Sequence, residues 1–110
     1  MNKKKLAKLK RELAALRRGA RKAAELESMA SRLGRNLQNR GKEPYWVSVQ
    51  FPRLFALSIP RHGGRDLGMR TKDIIIDNLE EDIVAWERWL NEDKNGTEEG
   101  DGGKENDDTE

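Results

Sequence analysis

Apolar residues recur along this chain with two different periods, and the change of period divides it into segments. Leu6, Leu9, Leu13 and Leu16 follow 3-4-3 spacing, which predicts one helical stripe between Asn2 and about Arg18. Gly19, in the run RRGAR, interrupts that pattern at a cost of roughly 1 kcal/mol relative to alanine. The helical period then resumes in a new register with Leu26, Met29, Ala30, Leu33 and Leu37, so a second helix ending near Gly34 is expected. Beyond it the residues favour strands. Trp46 or Val47 to Phe51, and Leu54 to Ile59, form two candidate strands either side of Pro52, and Phe55, Leu57 and Ile59 alternate onto one face. The turn-forming NRGKEP run can join a short strand at Asn36–Asn39 to them. Helical spacing returns at Ile75, Leu79, Ile83, Trp86 and Leu90, with Ile74, Ile76, Val84 and Trp89 widening the face.

That last helix is expected from Thr71 to Leu90. The Thr71 hydroxyl is the candidate N-cap, and Asp73 complements the positive end of the helix dipole. Its polar residues Asp77, Glu80, Glu81, Asp82 and Glu87 are expected to face solvent. Residues 91–110 contain only Asn, Asp, Glu, Gly, Lys and Thr, and are expected to be disordered. Such a tail solubilises the chain, or covers a surface or partner of opposite charge.

Charge sharpens this division. The formal net charge of +2 conceals +14 over residues 1–72 (19 basic, 5 acidic) and −12 over residues 73–110 (3 basic, 15 acidic). A cationic half of this kind can meet nucleic-acid phosphates. The basic residues around the leucine stripe leave several alternatives open: a helix packed on its own domain or on a second copy, an arm for RNA or DNA, or a membrane-surface helix. The chain has no cysteine, which excludes disulfides and thiolate zinc sites and fits a cytoplasmic location. No apolar run approaches the roughly 20 residues of a membrane span, so no membrane partner is expected.

Candidate chemistry is sparse. Phosphate-loop and dinucleotide glycine patterns are absent, and a single histidine leaves no plausible metal ligand set, so neither metal nor cofactor is expected. Metal-independent RNA cleavage needs a base near the 2′-OH, an acid for the leaving oxygen and cations for the phosphate. His62 with Glu43 or Tyr45 could supply the first two roles, and Arg61 with Lys42 the third. Arg35, Arg40, Lys42, Arg61, His62 and Arg65 are candidate phosphate contacts, and Trp46 offers a ring for stacking, although a core role is the favoured one for Trp46.

Several short runs resemble the HicA-type toxin family. ELESMASRLGR is similar to the family's first helix, NRGKEPYW to its first strand turn, SIPRHG to the third strand with its exit, and DLGMRTKDIIIDNL to the final loop and helix. The resemblance covers about Glu25 to Leu90. It implies a double-stranded-RNA-binding-domain-like α-β-β-β-α fold, endoribonuclease (mRNA interferase) activity, and an antitoxin partner in a bacterial toxin–antitoxin pair. The family's catalytic histidine follows a glycine in the turn after the first helix, and here Glu43 stands at that place. His62 matches the strand-exit histidine instead.

The expected architecture is therefore α+β, with a three-stranded antiparallel sheet packed by two helices over residues 25–90. A basic helical extension (1–24) precedes it and an acidic tail (91–110) follows. The functional expectation is RNA binding, with or without cleavage. The alternative is a non-catalytic protein-interaction module whose leucine stripe docks a partner or a second copy in a homo-oligomer.

Overall fold

The first leucine stripe forms helix α1, Lys3–Leu16, in a computed structural model that describes residues 1–39, 44–60 and 64–97. Asn2 caps it, its side-chain oxygen accepting from the Lys5 backbone N–H at 2.8 Å. Gly19 ends the helical run with φ +67°, a conformation open to glycine because it lacks Cβ. Helix α2, Ala23–Arg32, follows. The Lys22 backbone N–H donates to the Glu25 carboxylate at 2.9 Å, satisfying one free donor of its first turn. That bond is the largest influence holding the Glu25 carboxyl below its ordinary pKa.

Gly34, with φ +99°, turns the chain from α2 into strand β1, Arg35–Gln38. A side chain here would be strained by the backbone, and its Cβ would stand 3.5 Å from the Trp86 ring. Gly34→Ala is expected to cost about 1–2 kcal/mol. A urea unfolding curve should show a lower midpoint at unchanged slope, and an unchanged midpoint would contradict this.

Strand β2, Tyr45–Ser48, pairs antiparallel with β1, placing Arg35 opposite Ser48 and Leu37 opposite Trp46. The expected third strand is reduced to one bridge, in which Trp46 and Leu57 exchange backbone hydrogen bonds of 2.7 and 2.8 Å. Two side chains explain why pairing stops there. The Ser48 hydroxyl accepts from the Phe51 N–H at 3.0 Å, closing a turn at the end of β2. The Phe55 carbonyl, which a longer ladder would engage, accepts instead from the Arg35 guanidinium at 3.1 Å.

Helix α3 spans Met69–Thr97. It starts earlier than Thr71, because the Lys72 N–H bonds the Gly68 carbonyl at 2.9 Å and so places Gly68 at the cap. Thr71 lies inside the first turn. The helix also continues through the first seven residues of the expected tail, while residues 98–110 lie outside the described chain.

One core gathers all three helices. Leu6, Leu9 and Leu13 of α1 join Leu26, Met29 and Leu33, Ile75, Ile76, Leu79 and Ile83 of α3, and Phe51, Leu57 and Ile59. The basic N-terminal helix is thus part of the same core as residues 25–90. Trp86 closes one end: its ring stands edge-on to Phe51 with centroids 4.9 Å apart, and its indole N–H donates 2.7 Å to the Leu33 carbonyl at the end of α2.

Candidate nucleic-acid interface

The sequence-derived contact set does not assemble into one described surface. Arg40, Lys42, Glu43, Arg61 and His62 lie outside the described residues. Arg65 is exposed, one residue after Gly64. Trp46 is half-buried and packs against the core with Leu57 across from it, so its ring serves as packing in this structure.

Arg35 departs furthest from expectation. It is 2% exposed and forms a two-pronged pair with Asp82, Nε to Oδ2 at 2.7 Å and Nη2 to Oδ1 at 2.8 Å. Its remaining terminal nitrogen donates to the carbonyls of Trp46 and Phe55 at 2.9 and 3.1 Å. One guanidinium therefore ties β1, β2 and the 55–57 segment to α3, and it is not presented to an external phosphate. Burial is the dominant influence on the Asp82 carboxyl and raises its pKa, with the Arg35 hydrogen bonds pulling in the opposite direction.

The acidic face of α3 is likewise not simply solvated. Helices α1 and α3 run antiparallel, with Glu87 beside Lys10 (3.0 Å) and Asp77 and Glu80 beside Arg17 (2.7 and 3.1 Å). Lys10 and Arg17 are seven residues apart, as are Glu80 and Glu87, so matching rows of opposite charge line the seam. Hydrogen bonds to Asp77 first and Glu80 second raise the Arg17 pKa. On the other flank, Glu12 of α1 holds Arg32 of α2 at 2.6 Å.

These pairings leave a distinct set of cations facing outward. Lys4, Lys8 and Arg11 of α1, and Arg18 in the turn after it, are exposed and have no ion-pair partner among the described residues. At about 100° per residue Lys4, Lys8 and Arg11 cluster on a stripe centred roughly 170° from the buried leucines, and Arg18 follows in the turn beyond it. The rise from Lys4 to Lys8 is about 6 Å, and from Lys4 to Arg11 about 10 Å. Asn2, Lys4, Lys5, Lys8 and Arg11 line an open concavity at the start of the helix.

The sequence carried the signal for this stripe. The 4-3-7 spacing of Lys4, Lys8, Arg11 and Arg18 is as regular as that of the leucines, whereas the candidate phosphate contacts named from the sequence all lie at Arg35 or later. No group of three or more potential metal ligands occurs among the described residues. No described helix is long and apolar enough to cross a membrane. Comparison of the chain with family models, with curated proteins and with solved structures gave no match.

Proposed function

We propose that this chain binds RNA through the outward cationic stripe of α1. One observation carries the reading: the cations seen to reach α3 are paired, and a row on the far side of α1 is not. Those at the seam, Lys10 and Arg17, are neutralised by α3, whereas Lys4, Lys8, Arg11 and Arg18 keep their charge toward solvent on a helix anchored by three buried leucines. A rigid row of ammonium and guanidinium groups suits a phosphate backbone, whose affinity comes from neutralised phosphates and released counterions. The rival, a docking helix, loses its surface, since the leucines it would offer are 4%, 2% and 1% exposed at Leu6, Leu9 and Leu13.

Kinship with the HicA-type toxins belongs to the same proposal. It rests on the runs quoted above and on an element order, α2, β1, β2, the Leu57 bridge and α3, compatible with that family's order. Cleavage of mRNA by His62 or Glu43 and capture by an antitoxin are the further steps that kinship would bring.

The test is binding of a labelled RNA duplex to the full chain at low salt. Replacing Lys4, Lys8, Arg11 and Arg18 together by glutamine is expected to weaken binding at least about tenfold, since each lost phosphate contact removes counterion release. Helical circular dichroism should stay unchanged, because the stripe lies opposite the core. No binding by the unmodified chain, or full affinity in the fourfold variant, would overturn the reading.

A further inference from the structure

The outward stripe of α1 has a natural competitor for RNA within the same chain. We infer that residues 98–110 fold back over Lys4, Lys8 and Arg11 as an intramolecular polyanion, so that RNA must displace them. This deepens the RNA-binding reading of the stripe and rests on it for its regulatory meaning, although the docking itself does not require it.

Three observations converge. The first is charge: residues 98–110 carry seven carboxylates and one lysine, a net charge of −6, against an outward stripe whose cations are unpaired among the described residues. The second is the point of exit. The antiparallel register puts Lys10 beside Glu87 and Arg17 beside Asp77, so the last turn of α3, ending at Thr97, comes level with the first turn of α1. The acidic segment therefore leaves the fold at the end of α1 that carries Lys4, Lys5 and Lys8. The third is reach. Thirteen residues can extend roughly 43 Å, and α1 is about 21 Å long. A tether this short holds the acidic segment at an effective concentration on the order of millimolar beside the stripe.

Competition of this kind changes the salt dependence of binding as well as the affinity. Where carboxylates already neutralise the stripe, RNA displaces them rather than condensed counterions, and fewer ions are released. With the acidic segment neutralised, four phosphate contacts predict roughly a 100-fold loss of affinity between about 50 and 200 mM salt. The unmodified chain is expected to bind about tenfold more weakly at the lower salt and to show a distinctly shallower slope.

The experiment uses the full chain in two forms, unmodified and with Glu98, Glu99, Glu105 and Glu110 changed to Gln and Asp101, Asp107 and Asp108 to Asn. Because the chain has no cysteine, Thr109→Cys gives a single attachment point for a nitroxide label in either form. Selective broadening of the Lys4, Lys8 and Arg11 amides at low salt, lost in the neutralised form, is the expected result. Broadening no greater at these amides than at β1 would overturn the docking. RNA titrations run alongside separate the two claims. If the label contacts α1 but RNA binds neither form, docking stands and the RNA reading falls. If RNA binds both forms with equal affinity and equal salt slope, the competition is overturned.

Discussion

Replacing Asp82 by alanine is expected to cost the fold about 3–5 kcal/mol, the usual loss when one member of a buried ion pair is removed. Domains of this size are stable by only about 5–15 kcal/mol, so the loss would remove a large share of the stability. The loss arises because Arg35, 2% exposed, would keep its charge inside the protein with no carboxylate beside it. A double variant, Arg35→Met with Asp82→Leu, tests that cause. Removing both charges should restore part of the stability, since apolar replacements of similar volume are often neutral. Recovery should stay incomplete, because the Phe55 carbonyl that Arg35 serves at 3.1 Å would lose its donor, whereas the Trp46 carbonyl keeps the Leu57 N–H at 2.8 Å. Urea midpoints of the single and double variants provide the check. Equal losses in both would show that packing, rather than the stranded charge, is responsible.

The pH dependence of Asp82 has a defined sign. Burial raises its carboxyl pKa in the folded chain, so the folded state holds that proton more tightly than the unfolded state. The stability tied to this group is therefore fully present below the unfolded carboxylate range. It declines as pH rises through the raised folded value. Asp82→Asn removes this contribution, and the difference in stability between native and variant should change with pH across that window. A difference constant from acid to neutral pH would contradict the raised pKa.

The helical core was legible in the sequence because its signal is periodic and local. Leu6, Leu9 and Leu13, the Leu26–Leu33 set and Ile75, Leu79 and Ile83 all appear where 3.6-residue spacing places them. Of the three buried charged residues that organise the interior, the pattern places Asp82 among the solvent-facing acids and Arg35 among the phosphate contacts, and it assigns nothing to Lys72. Lys72 and Asp82 nevertheless fall on the core stripe, since Lys72, Ile75, Leu79, Asp82 and Trp86 follow 3-4-3-4 spacing. Their partners, Arg17 and Gly19 for one and Arg35 for the other, stand 53 to 55 and 47 positions away. No local pattern reveals such a pairing, so an acid among Glu80, Glu81 and Asp82 looks like any solvated acid. The third strand failed for a related reason. Phe55, Leu57 and Ile59 alternate as a strand should, but pairing depends on what the Phe55 carbonyl meets, and it meets a side chain from β1. Of the candidate site, the charge asymmetry was legible and its direction in space was not. Which cations point outward depends on the α1–α3 seam.

Lys72→Ala is the second large effect, with an expected loss of about 2–4 kcal/mol. Lys72 is 0% exposed, and its Nζ donates to the backbone carbonyls of Arg17 and Gly19 at 2.5 and 2.7 Å. Those oxygens belong to the end of α1 and the turn after it, where carbonyls lack intrahelical donors and a lysine can supply them. The alanine variant removes both this donor and the buried four-carbon stem, leaving a cavity. Lys72→Met keeps most of the stem and loses only the donor, so it should cost roughly half as much. Hydrogen exchange locates the effect: amides in the last turn of α1 should lose protection before those of α2, because Lys72 is the buried tie between that end and α3. The consequence reaches the candidate interface. Arg18 lies between the two carbonyls that Lys72 holds, so loosening this turn disorders one end of the cationic stripe while Lys4 and Lys8 stay in place. RNA affinity in Lys72→Met should therefore fall by about the contribution of Arg18 alone, and adding Arg18→Gln should weaken it no further. A further loss on adding Arg18→Gln, or a methionine variant as stable as the native chain, would show that the tie does not set this end of the stripe.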